Sequence, residues 1–75
     1  MAEYKIKLTQ NQVADFVHAA EKCDGNVDIV YNNRYIIDGK SILGVLSLDL
    51  TRNLIVQTQK RNEFFEKQML KYAVA

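Results

Sequence analysis

Cys23 is the only cysteine among 75 residues, and this constrains the chain more than any other single feature. A small domain with neither a disulfide nor a thiolate metal cage must hold itself together by burying apolar surface. A chain of this size buries only about 60% of the surface that its unfolded form exposes. A single domain spanning residues 1–75 is therefore expected, with one core and no room for a second. The composition supplies the material, with 48% hydrophobic and 25% charged residues, three glycines and no proline. That is a globular rather than a disordered balance. A lone thiol fits a reducing, cytoplasmic setting. Met1 to Leu8 alternates charged and apolar residues. No apolar run approaches the roughly 20 residues that cross a bilayer, so neither a signal peptide nor a membrane span is expected. Ten Lys and Arg against nine Asp and Glu leave a formal charge of +1. This is too little for the electrostatic footprint of a nucleic-acid or membrane-surface binder. Protein partners, met through shape and apolar contact, are expected instead.

Hydrophobic periodicity then orders the chain. Tyr4, Ile6 and Leu8 alternate with Lys5 and Lys7, the period of a strand with one wet face. Val13, Phe16, Val17 and Ala20 fall on one helical stripe, so a first helix is predicted from about Gln10 to Lys22. Thr9 and Gln12 have the spacing of a capping box, and Asp24-Gly25 supplies the stop. Val27, Ile29 and Tyr31 predict a second strand, Tyr35 and Ile37 a third, joined by a two-residue Asn32-Asn33 turn. Ser41 to Leu48 reads as a short helix, with Ser41 as N-cap and Ile42, Val45 and Leu46 on one stripe. Leu54 to Val56 predicts a fourth strand. Asn62 is placed to cap a last helix whose stripe includes Phe65, Met69 and Tyr72, with Phe64 and Leu70 off the clear pattern. The order strand, helix, strand, strand, helix, strand, helix implies an α+β open-faced sandwich, a four-stranded antiparallel sheet with helices on one face. A ferredoxin-like domain has nearly the same string up to the last helix.

The stretch Asp38-Gly-Lys-Ser-Ile-Leu-Gly-Val-Leu-Ser-Leu48 strongly resembles the regulatory-serine region of the HPr family, the histidine-containing phosphocarrier proteins of the bacterial sugar phosphotransferase system. Lys40, Ser41, Ile42, Gly44, Val45, Ser47 and Leu48 stand in register with the family pattern. Leu43 and Leu46 replace two methionines, and Asp49 stands where the family usually has Gly. Ala14-Asp15-Phe16-Val17 is similar to the Ala-x-Phe-Val of the family's first helix. The resemblance implies an HPr-like open-faced β-sandwich of order βαββαβα over the whole chain.

The same resemblance implies that the carrier chemistry is lost. HPr proteins hold the phosphoryl group on a His at the start of the first helix, where an Arg and free amides receive it. Aligned on Phe16, the His position falls at Thr9, the Arg position at Asn11 and the Pro position at Gln12. A phospho-threonine is a low-energy ester, a poor substitute for a phosphoramidate that passes its phosphoryl group onward. The sole histidine, His18, lies off the apolar stripe and more than two turns from the cap, which reads as an exposed, solvated side chain. No catalytic residue is therefore assigned. A relay through an unorthodox acceptor, His18 or Thr9, is the enzyme-class alternative.

In many family members the serine equivalent to Ser41 is phosphorylated by an ATP-dependent kinase and then read by a transcriptional regulator. By resemblance, Ser41 is a regulatory phosphorylation site, and Lys40, Ile42 and Leu46 form a partner-binding surface with Leu43 or Val45 facing inward. The bland reading makes Ser41 only a cap, Lys40 solvated, and Ile42 and Leu46 core. Both readings stand on sequence grounds. One His and one Cys give no metal site, and three glycines and one histidine assemble neither a phosphate loop nor a catalytic triad. No cofactor is expected, and Cys23 reads as a small packing residue. The function implied is that of a non-catalytic regulatory protein, similar to the catabolite-repression branch of the family. Its partners would be a phosphotransferase-system enzyme, a serine kinase or a transcriptional regulator. A binding module of the same fold unrelated to sugar transport is the remaining alternative.

Overall fold

The computed structural model describes residues 1–74. Strand β1 spans Ala2–Ile6, helix α1 Val13–Glu21, β2 Val27–Tyr31, β3 Tyr35–Asp38, α2 Ile42–Leu46, β4 Leu54–Thr58 and α3 Glu63–Leu70. The predicted order βαββαβα is the order observed. All pairings are antiparallel and the sheet order is β1-β4-β2-β3. Because β4 lies antiparallel between β1 and β2, those two strands run parallel to each other across it. Likewise β3 and β4 run parallel on either side of β2. The fold is thus two interlocked split β-α-β units, with α1 and α2 as their crossovers.

One face of the sheet is covered by helices. Ile6, Val27, Ile29, Leu54 and Val56 point from the strands into a core shared with Val13, Phe16, Val17 and Ala20 of α1. Val45 of α2, Phe65 and Met69 of α3, and Tyr72 after it complete that core. The Phe16 ring meets Phe65 and Tyr72 edge to face at 6.2 and 6.4 Å, and Tyr4 meets Phe65 at 5.7 Å. Such pairs contribute about 0.5–1.5 kcal/mol each beyond the area they bury. This aromatic cluster adds to the aliphatic burial that holds the unstapled chain together. The Tyr4 and Thr58 hydroxyls are buried near each other without a hydrogen-bond partner.

Local boundaries depart from the sequence reading: α2 ends at Leu46 instead of Leu48, α3 ends at Leu70 before Tyr72, β4 runs on to Thr58, and the first helix, Leu8 and the β2–β3 turn differ as follows. The first helix does not start as α-helix at Gln10: Gln10–Gln12 form a 3-10 turn, and α1 proper begins at Val13. The Gln12 side chain accepts from the Thr9 amide at 2.9 Å, as a capping residue would. Leu8 is buried beyond the end of β1 rather than within it. The β2–β3 turn holds three residues, not two. Asn32 and Asn33 take left-handed φ values of 55° and 59°, and the Arg34 amide donates to the Tyr31 carbonyl at 3.2 Å. Arg34 is then an extra residue, and Tyr31 pairs with Tyr35. That bulge sets the register: Ile29 opposes Ile37 on the core side, and Ile36 is turned outward.

Gly25 closes the α1–β2 connection at φ +87°, a conformation that L side chains resist. Asn62 caps α3 by accepting from the Phe65 amide at 2.9 Å. The outer edge of β1 is covered, since the Lys7 amide donates to the Tyr72 carbonyl and the Val74 amide to the Lys5 carbonyl.

Candidate functional site

The residues singled out by sequence gather at α2 and at the start of α1. Ser41 is the N-cap of α2: its Oγ accepts from the Gly44 amide at 3.1 Å, and its carbonyl accepts from Val45 N–H at 3.0 Å. Gly44 leaves the room this cap needs, because a Cβ there would stand 3.2 Å from Ser41 Oγ and 3.1 Å from Ile37 Cγ2. Ser41 itself remains half-buried. Its hydroxyl is thus both a helix cap and within reach of the surface.

α2 has five residues and one anchor. Val45 is completely buried, so of the two inward candidates it is Val45 and not Leu43 that faces the core. Leu43 is 81% exposed, Ile42 41% and Leu46 40%, which corrects the reading of Ile42 and Leu46 as core. The geometry explains the difference. With Val45 pointing down, a helix of under two turns directs the neighbouring side chains sideways and Leu43 outward. Leu48 and Leu50 pack against the core from the following loop and supply the burial that α2 lacks.

Lys40 is not a solvated neighbour of the cap. Its Nζ donates to the Cys23 carbonyl at 2.9 Å, fastening the segment before α2 to the chain just after α1, where a cation meets unpaired carbonyls. Its amide donates to Asp38 Oδ1 at 2.9 Å. Cys23 is buried, and burial pushes its thiol pKa upward, with the Lys40 charge opposing. This is the setting of an inert packing thiol.

Thr9, Gln10 and Lys7 line one side of a surface depression of about 490 Å³, with Leu8, Leu50 and Thr51 completing it. A second depression of about 380 Å³ shares Gln10 and Leu50 and continues to Leu46, Leu48 and Asp49. The fold therefore brings Thr9 and Leu46 to one continuous surface, while neither depression includes Asn11 or His18. His18 is exposed on α1. Neither a family model nor a curated protein matches the chain. Among the described residues there is no group of three or more His, Cys, Asp and Glu able to hold a metal ion, and no helix is long and apolar enough to cross a membrane.

Asp49 makes its own turn. Its carboxylate accepts from the Thr51 hydroxyl at 2.6 Å and the Thr51 amide at 3.1 Å, and these bonds, with Arg52 nearby, hold its pKa below the ordinary 3.8. The left-handed residues among those described are Gly25, Asn32 and Asn33, so an Asp at position 49 carries no backbone strain. Leu50 is the residue of this surface that sequence reasoning missed, while Leu43 is one of the two inward candidates and the structure turns it outward. Leu43 and Val45 are two residues apart, about 200° around the helix, so only one of them can face the core.

Proposed function

We propose that this protein is a non-catalytic interaction protein of HPr type, related to the sugar phosphotransferase system, in which phosphorylation of Ser41 changes the surface presented to a protein partner. The observation that carries the reading is the exposed apolar face of α2. Ile42, Leu43 and Leu46 lie in the open next to a half-buried serine. Large aliphatic side chains grouped on a short, singly anchored helix favour docking on another protein. The βαββαβα order and the match around Lys40 to Leu48 support the family assignment.

The partner would cover Ile42 and Leu46, with Lys40 at the rim. A phosphate on Ser41 adds about −1.5 to −2 charges there. Because α2 has only five residues, its dipole contributes little, and the effect would come from charge at the partner contact. Thr9, an exposed hydroxyl at the family's acceptor position, has neither an imidazole nor a guanidinium beside it in the sequence, and the phosphocarrier reading draws no support from its surroundings.

The test is the intact mass of the native chain and of Ser41→Ala after incubation with ATP and the serine kinase that modifies ordinary HPr. One added phosphate on the native chain and none on the variant is expected, followed by altered capture of a phosphotransferase-system protein. Absence of phosphate on the native chain, with ordinary HPr labelled in parallel, would overturn the regulatory reading.

A further inference from the structure

The two outer edges of the sheet differ. On β1 the Lys7 amide and the Lys5 carbonyl are taken up by Tyr72 and Val74, whereas no strand among the described residues pairs with the outer side of β3. β3 carries neither proline nor lysine, the usual guards of an open edge, and its Tyr35 and Ile36 are 60% and 68% exposed. The ladder fixes which backbone groups point outward there. The Gly39 amide donates to the Val27 carbonyl at 2.7 Å, which makes those two residues a hydrogen-bonded pair. Antiparallel pairs alternate, so Ile29–Ile37 and Tyr31–Tyr35 are hydrogen-bonded as well, and Ile36 and Asp38 belong to the pairs between them. The Ile36 amide and carbonyl and the Asp38 amide therefore point away from β2. The Arg34 carbonyl points the same way, trans to the inward Tyr35 amide across a planar peptide. Two neighbouring groups are already satisfied within the chain. The Arg34 amide donates to the Tyr31 carbonyl at 3.2 Å, and the Asp38 carbonyl accepts from the Ser41 amide at 3.0 Å.

We propose that β3 pairs antiparallel with β3 of a second copy, about a two-fold axis that passes between the two Ile36 residues, perpendicular to the sheet. Along the edge, from Arg34 to Asp38, the free groups run acceptor, donor, acceptor, donor. Turned about the two-fold, that series is its own complement. Each Ile36 amide donates to the Ile36 carbonyl of the other copy, and each Asp38 amide to the Arg34 carbonyl of the other copy. The same register sets the Arg34 amide opposite the Asp38 carbonyl of the other copy, the two groups already bonded within their own chains. An unrelated extended peptide in this register would bring a carbonyl opposite Arg34 and an amide opposite Asp38, and neither would meet a free partner. That difference favours a second copy as the occupant. The side chains agree with the register. Ile36 meets its own counterpart on the open face, with about 5.5 Å between Cα atoms, and Tyr35 stands opposite Ile37 of the other copy on the helix face. The residues opposed at each end, Arg34 and Asp38, are of opposite charge, and a net charge of +1 leaves little repulsion between copies. Because the β1 edge is already covered, pairing stops at two copies.

A paired strip of about five residues at 3.4 Å is roughly 17 Å long and buries well under the approximately 800 Å² per partner of a standard interface, so association at roughly 0.1–1 mM is expected. Sedimentation of the intact chain across that range should show an average mass rising from 8.6 kDa toward twice that value. Over the same range, amide exchange at Ile36 and Asp38 should slow, while Tyr35 and Ile37, already bonded to β2, keep their rates. Because the two-fold sets residue 36 against itself, Ile36→Lys and Ile36→Glu should each weaken self-association about 10-fold or more by opposing like charges. Both are exposed substitutions and should leave the folded amide spectrum intact. An equimolar mixture of the two variants should associate to within about threefold of native, since Lys then faces Glu, an outcome that a merely structural role for Ile36 does not give. A mass of 8.6 kDa at every concentration, association without slowed exchange at Ile36, single variants that associate like the native chain, or a mixture that fails to recover would each overturn the proposal.

Discussion

Replacing Ser41 by alanine tests whether the cap at α2 is a stabilising contact or an incidental one. The hydroxyl accepts from a part-buried Gly44 amide at 3.1 Å, and alanine leaves that donor without a protein partner. Loss of an N-cap costs about 1 kcal/mol, and the partial burial of the amide favours the upper part of the 0.5–2 kcal/mol range. For a domain of this size, 1 kcal/mol corresponds to a fall in Tm of about 4–8 °C. Thermal unfolding followed by circular dichroism measures that fall, and amide exchange at Gly44 reports it locally. Ser41→Asp, which keeps an acceptor, is expected to unfold near the native temperature, and Ser41→Gly to lose only a few tenths of a kcal/mol. The order Ser ≈ Asp > Gly > Ala is the signature of a cap. A Ser41→Ala chain that melts within about 1 °C of native, with unchanged Gly44 exchange, would refute the reasoning. The result also governs how partner binding is interpreted, because Ser41→Ala removes the phosphate acceptor and the cap together, whereas Ser41→Gly removes the acceptor at little cost.

Three further predictions rest on the core and its margin. Val45→Ala removes two carbons from the sole buried side chain of α2 and is expected to cost about 2 kcal/mol by chemical denaturation; a cost within about 0.5 kcal/mol would show that α2 is not anchored there. Thr58→Val replaces a buried hydroxyl that has no hydrogen-bond partner with a methyl of similar shape in a strand, and stability should stay level or rise by up to about 1 kcal/mol. A loss of that size would mean that the hydroxyl pairs with Tyr4 after all. The Asp49 carboxyl should titrate below 3.8 by carbon NMR, because the Thr51 hydrogen bonds favour its charged form. A folded pKa below the unfolded one contributes stability that is fully present above the unfolded value and is lost as pH falls through the folded pKa. Asp49→Asn should therefore lose its disadvantage relative to the native chain as the pH drops below about 3.8, and a titration midpoint at or above that value would contradict the geometry.

Much of the architecture was legible because this sequence keeps its periods clean. Val13, Phe16, Val17 and Ala20 form a buried stripe with no polar interruption, and Val27-x-Ile29 and Leu54-x-Val56 alternate without a break. The turn was misread by one residue for a physical reason. Asn32 and Asn33 do take the positive φ values that their identities announce, but the bulge residue after them is an arginine, whose side chain says nothing about register. The decision was made instead by Ile37, which must face the core opposite Ile29. At α2 the pattern Ile-Leu-Gly-Val-Leu offers apolar residues in every direction, so periodicity alone does not select the inner face. Lys40 was beyond the reach of local reading altogether. Its partner, the Cys23 carbonyl, lies 17 residues earlier and becomes a neighbour only when the sheet closes.

That contact bears on how α2 can be both exposed and fixed. A five-residue helix with one buried side chain would fray on its own, since a helix so short does not offset the cost of nucleation. Three constraints hold its start. Lys40 reaches the end of α1, Ser41 caps Gly44, and Gly39 lies so close to β2 that an added Cβ would stand 2.8 Å from Val27 Cγ1, with its amide bonded to the Val27 carbonyl at 2.7 Å. The connection from β3 is thereby held at three successive residues, Gly39 to Ser41, leaving the side chains of Ile42, Leu43 and Leu46 uncommitted. For the partner contact proposed above at α2, such a preorganised start would lower the ordering cost that a loose loop incurs on binding.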